Sequence, residues 1–179
     1  MPKLDIPLQL SPAYKPKIWG RDDLGPLFAR PQPPIVPGVS RRRDLRTQTG
    51  ERELIGEVWI TDDASRFLNG PPAGLTLGEA SEKYGPELHG KGWKDRRFPI
   101  LAKYIYTCDW LSVQVHPDDD EARVYDPGNR GKCEMWYILR AGRQAEILLG
   151  AKRGVTKERL KAAFKTGTSR ELLNGFRPR

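Results

Sequence analysis

The stretch LSVQVHPDDD, residues 111–120, decides how this chain is read. Along a β-strand, residues two apart point the same way. Gln114 and His116 therefore project from one face and Val113 and Val115 from the other, while Pro117, which has no N–H for a ladder, ends the strand. A carbonyl oxygen and an imidazole nitrogen then face one space, ahead of an acidic turn at 118–120. If that face lines a barrel, the two are metal ligands at suitable spacing. Taken alone, the pair is the pattern of a half-buried histidine satisfied at a strand end.

A second stretch bears on the choice. In GKCEMWYIL, residues 131–139, Glu134 opens an apolar run that predicts a fully buried strand over 134–139. A carboxylate at the edge of such a run requires a cation, a hydrogen bond or solvent. Bound Zn²⁺ is one answer. Lys132, on the same face by the period of two, is another. The loop from Pro117 to Cys133 is long enough to return the chain beside the first strand.

Outward from these stretches the chain reads as short strands, turns and a few helices. Pro2, Pro7, Pro12, Pro16 and Pro26 make residues 1–30 an extended entry segment, and 31–53 is a flexible Pro- and Arg-rich loop. IGEVWITDD at 55–63 predicts a strand, and LTLGEASEKYG at 75–85 a helix opened by the Thr76–Glu79 capping box. FPILAKYIYTCDWLSVQVHP at 98–117 reads as two strands. AEILLG at 145–150 is a further strand. VTKERLKAAFKTG at 155–167 is an amphipathic helix with Leu160, Ala163 and Phe164 on one face and Gly167 as its stop, and TSRELLN starts another helix. The pattern predicts one domain over 1–179, mainly β, an antiparallel barrel or sandwich with added helices.

Composition narrows the function classes. The chain has 179 residues, 37% hydrophobic and 30% charged, enough for a folded core. No window resembles a membrane span, and the N-terminal stretch lacks a signal peptide's apolar core. Cys108 and Cys133 form no CxxC and no disulfide framework, which predicts a reducing cytoplasm. The net charge of +8 is scattered apart from SRRRDLR at 40–46 and carries no nucleic-acid motif, so neither nucleic acid nor membrane is an expected partner.

PAYKPKIWG, IGEVWITDD, NGPPAGLTLGE, FPILAKYIY, LSVQVHPDD, GKCEMWYIL and ILLGAKRGVTKERL follow one another over residues 8–174. Together they resemble the N-terminal portion of a class I, zinc-dependent, cupin-type mannose-6-phosphate isomerase. The resemblance implies a cupin-like jelly roll with added helices, and an intramolecular oxidoreductase that interconverts mannose 6-phosphate and fructose 6-phosphate in the cytoplasm. It implies one zinc ion held by Gln114, His116 and Glu134, with Lys132 catalytic and Ser112, Lys103 and Trp19 near the sugar.

The departure from the family pattern is at the end. The family's last zinc-binding histidine and an arginine follow the LLN segment, where this chain reads ELLNGFRPR. His89 in YGPELHGKGW does not match that ligand. The expectation is a C-terminally truncated homologue with an incomplete barrel, impaired chemistry and weakly held zinc. AEILLG or its neighbours would present an open sheet edge through which copies could associate. Two alternatives stand beside it: an active isomerase whose missing half comes from another chain, and a non-catalytic cupin-like module binding a sugar phosphate or a protein.

Overall fold

In β2 (Ile55–Trp59) four of five residues are buried, and this strand organises the first of two compact units. The structure, a computed structural model, describes residues 4–28, 53–95 and 97–178. The units are Met1–Leu111 and Ser112–Arg179. Most of the loop expected at 31–53 lies outside the described residues. Strands outnumber α-helices among the described residues, all pairing is antiparallel, and no sheet closes into a barrel.

In the first unit β1 (Ala13–Arg21), β2 and β3 (Lys103–Ile105) form one sheet in that order. β1 lies inside the expected entry segment. Its register slips between Lys15 and Pro16 and again before Arg21, and Pro16 has no N–H for the ladder there. Two glycines let β1 and β2 approach. A Cβ on Gly20 would stand 2.5 Å from the Ile55 carbonyl carbon, and one on Gly56 would meet Lys17 and Trp19. Leu24, Ile55 and Val58 are buried beneath Tyr14, Phe28, Tyr104 and Tyr106. A second cluster, Phe67, Leu77 and Ala80, gathers Leu8, Leu10 and Leu75 under α1 (Leu77–His89). α1 starts as its sequence predicts: Glu79 N–H donates to Thr76 Oγ1 at 3.1 Å and Thr76 N–H donates to Glu79 Oε2 at 2.7 Å. It runs past the expected end at 85 through a kink at Tyr84, just before Pro86.

The second unit holds α2 (Asp119–Tyr125), β4 (Ile147–Ala151), α3 (Lys157–Thr166), a 3₁₀ turn (Ser169–Leu172) and β5 (Leu173–Phe176). The acidic run after Pro117 is a helix start: Asp118 caps α2 by accepting from Glu121 N–H at 2.8 Å. α3 follows its predicted bounds, with Thr156 as N-cap and Gly167 as a left-handed C-cap. The helix expected at TSRELLN is only a 3₁₀ turn, and the chain then forms β5, which pairs with β4 through Ile147↔Phe176 and Leu148↔Gly175. The edge expected at AEILLG is thereby paired on one side.

The buried strand expected over 134–139 is not found. Residues 132–138 carry no strand pairing, and Met135, Tyr137 and Leu139 are 92%, 82% and 65% exposed. Residues 111–117 likewise enter no ladder, so of the two strands read in 98–117 only β3 forms. A strand assignment needs a hydrogen-bonded ladder as well as a suitable sequence, and among the described residues neither segment joins a sheet.

Candidate functional site

The period-of-two geometry survives where the ladder does not. Gln114 Nε2 donates to Ser112 Oγ at 3.1 Å, and Gln114 Oε1 lies 3.2 Å from His116 Nε2. Ser112, Gln114 and His116 therefore share one side of an extended segment. The return of the chain places Glu134 opposite, with Oε2 3.9 Å from His116 Nε2. Lys132 Nζ stands 2.8 Å from Glu134 Oε1. The two carboxylate oxygens thus do different things: Oε1 meets the ammonium, and Oε2 faces the imidazole. Trp136 Nε1 also donates to Oε2, at 3.3 Å, which fixes the carboxylate's tilt.

Two backbone N–H donors hold the two segments together. Lys132 N–H donates to Pro117 O at 3.0 Å, and Gly131 N–H donates to Asp119 Oδ1 at 2.9 Å. Gly131 is tight against the start of α2: an added Cβ would sit 2.5 Å from the Asp118 carbonyl carbon. Gly131 falls in the loop read from Pro117 to Cys133, and its role was missed because the close approach is to a segment twelve residues away. Asp118 and Trp136 were missed as well.

The donor set fits a zinc ion. Ligands about 2.1 Å from a tetrahedral metal stand about 3.4 Å from one another. Gln114 Oε1, His116 Nε2 and Glu134 Oε2 stand 3.2 and 3.9 Å apart about the imidazole nitrogen, close to that spacing. The His116 and Glu134 side chains are 24% and 23% exposed, so one side of the cluster is open to a further ligand or substrate. Among the described residues no group of three His, Cys, Asp or Glu side chains is placed to hold a metal; this cluster has two such side chains and the Gln114 amide.

Lys103 and Trp19 belong to the first unit. Lys103 Nζ pairs with Glu57 Oε1 at 3.4 Å. Glu57 is 8% exposed and also accepts from Trp59 Nε1, at 2.6 Å. This buried carboxylate holding a lysine in place was not singled out in the sequence; a Glu between apolar residues in IGEVW was its only signal. Trp19 lies across Gly56, and its carbonyl accepts from Cys108 N–H at 3.0 Å. His89 has aromatic neighbours: it ends α1 with its ring tilted against Trp93 at 4.2 Å and stacked on Phe98 at 5.2 Å.

Comparison with known proteins points one way. Residues 8–135 match the family described as phosphomannose isomerase type I, catalytic domain. The chain is 34% identical over 172 residues to the probable mannose-6-phosphate isomerase GmuF of Bacillus subtilis, covering 93% of this chain and 48% of that protein. It is 33% identical over 171 residues to the mannose-6-phosphate isomerase ManA of the same organism, covering 93% and 47%. The crystal structure of the mannose 6-phosphate isomerase from B. subtilis superposes with a TM-score of 0.69 at 29% identity, over 97% of this chain and 50% of that one. The chain spans about half the length of the curated relatives it matches.

Proposed function

The chain belongs to the type I phosphomannose isomerase family, and we propose that it contributes the Gln–His–Glu portion of a zinc-dependent isomerase site acting on mannose 6-phosphate and fructose 6-phosphate. The observation that carries this reading is the convergence of Gln114 Oε1, His116 Nε2 and Glu134 Oε2. These three residues would hold the ion, and when bound it supplies a Lewis acid toward a sugar oxygen. His116 can ligate only with Nε2 unprotonated, so loading releases whatever proton that nitrogen carries. Glu134 keeps one oxygen on Lys132, which leaves its charge partly neutralised and its orientation fixed. Lys132, at 45% side-chain exposure, is free to turn its ammonium toward negative charge developing on the sugar. Ser112 holds the Gln114 amide so that its carbonyl oxygen faces His116. Lys103 and Trp19 are proposed sugar-side residues on the strength of the family motifs, and the free thiols Cys108 and Cys133 suit a reducing cytoplasm.

Calorimetric zinc titration tests the assignment. One site is expected, weakened more than about tenfold in His116→Ala and in Glu134→Gln, since even outer partners of metal ligands contribute that much. Equal affinity in wild type and variants would remove it. In a coupled assay with mannose 6-phosphate and zinc, the chain alone is expected to turn over at least about 10²-fold more slowly than a full-length relative, the loss typical of one missing charge-stabilising donor.

A further inference from the structure

Within the second unit, a cavity of about 290 Å³ lies between α3 and the 3₁₀ turn that follows it. That volume is at the small end of the range for ligand sites. Arg159, Ala163 and Thr166, at i, i+4 and i+7, bring one face of α3 to it. Thr168, Glu171 and Leu172 supply the other wall. Ala163 is buried and Leu172 half-buried, and they form part of its apolar lining. The cavity shares no residue with the Gln114–His116–Glu134 cluster.

The polar groups of this cavity divide by sign. Arg159 and Glu171 both line it, yet they do not pair with each other. Among the described residues neither the guanidinium nor the carboxylate has a hydrogen-bond or ion-pair partner. Lys152 Nζ donates at 2.8 Å to the Glu171 carbonyl oxygen, so this ammonium is committed to main chain rather than to the carboxylate. Thr166 Oγ1 lies 3.3 Å from Ala163 O and 2.9 Å from Thr168 Oγ1. A hydroxyl has one hydrogen. Thr166 spends its own on the carbonyl, so Thr168 donates to Thr166 and keeps lone pairs as acceptors. The Thr168 side chain caps no backbone N–H of the turn. The cavity therefore offers donors from the Arg159 guanidinium and acceptors from the Glu171 carboxylate and Thr168 Oγ1. A ligand of one charge satisfies only one of these sets.

We propose that this cavity binds a small zwitterion, its anionic group on Arg159, its ammonium on Glu171 and Thr168 Oγ1, and a short apolar linker against Ala163 and Leu172. Charge-assisted hydrogen bonds at both ends make the site selective for a ligand carrying both charges. A guanidinium takes a carboxylate or a phosphate monoester equally well in geometry, so either is the anionic end. The proposal does not rest on the isomerase reading.

The test titrates the full chain, labelled with ¹⁵N, with glycine, β-alanine, γ-aminobutyrate and O-phosphoethanolamine. Acetate and ethylamine are the single-charge controls. The amide resonances of Thr166, Thr168 and Glu171 are expected to shift saturably with at least one zwitterion. Its affinity should exceed that of either control at least about tenfold, the gain one further hydrogen bond to a charged group gives. The tightest of the three amino acids reports the separation of the two charges, and tighter O-phosphoethanolamine assigns the anionic end to phosphate. Arg159→Gln and Glu171→Gln, both at exposed positions, should each weaken zwitterion binding about tenfold or more. Arg159→Gln should then bind the zwitterion no better than ethylamine, and Glu171→Gln no better than acetate, a charge-selective pattern that misfolding does not produce. Absence of a saturable shift at these residues with all four zwitterions would overturn the proposal. So would wild-type binding of a single-charge control as tight as the zwitterion, or undiminished zwitterion affinity in either variant.

Discussion

Gly131 carries more of the candidate site than its lack of a side chain suggests. Its Cα lies so close to the Asp118–Asp119 peptide that any Cβ must push the two segments apart, and those segments bear His116 and Glu134 respectively. Gly131→Ala is expected to destabilise by about 1–3 kcal/mol, the usual range for forced overpacking, and to weaken zinc binding about tenfold or more. Gly142→Ala, where an added Cβ meets nothing within 4 Å, should change neither; calorimetry on the pair checks this. His89 gives a second, independent expectation. Ser81 Oγ donates to Leu77 O at 2.6 Å, which leaves it to accept from the His89 ring Nε2–H at 2.8 Å. Burial pushes the imidazole's pKa below 6.5. The unfolded chain therefore binds a proton more readily than the folded one, and stability present above pH 6.5 falls as pH drops toward the depressed value. Denaturant midpoints between pH 7 and 5 should slope downward in wild type and flatten in His89→Gln. Gln114 with His116, and Lys132 with Glu134, were legible as same-face pairs from two-residue periodicity, while grouping the two pairs into one cluster came from the family resemblance. Gly131, Asp118 and Glu57 were not, because their roles depend on approaches between segments that no local pattern encodes.

Two helix ends were read from the sequence: Thr76 with Glu79 starts α1 and Gly167 stops α3, through hydrogen bonds to backbone groups within a turn, so the signal is contained in a few consecutive residues. Thr76→Ala is expected to lower stability by about 1 kcal/mol, as loss of an N-cap hydroxyl does, measured by urea denaturation. The Thr76 backbone N–H and hydroxyl hold the Glu79 carboxyl below its ordinary value. That contribution is complete above pH 4.5 and lost as pH falls through the lowered value, so the Thr76→Ala deficit should shrink in acid. Strands were read less well. LNGF became β5 because Ile147 and Leu148 offered it a partner, and EMWYIL joins no sheet although the segment bearing His116 faces it. β-structure is settled between segments distant in sequence, and local propensity cannot anticipate which of them will meet.

The two units differ in how they are held. Met1–Leu111 has two clusters of buried apolar side chains under a three-stranded sheet. Ser112–Arg179 relies on a two-stranded sheet, capped helices and buried alanines, and a unit that buries so little large apolar surface has little to set against chain entropy. Hydrogen exchange under mild denaturant is expected to show the second unit opening first, with the first unit's β2 amides the last to exchange; a single shared opening free energy would contradict this. Residues 135–139 lie outside any helix or sheet, with Met135, Tyr137 and Leu139 exposed. Proteases grip their substrates as extended chain, so chymotrypsin is expected to cut after Tyr137 without prior unfolding.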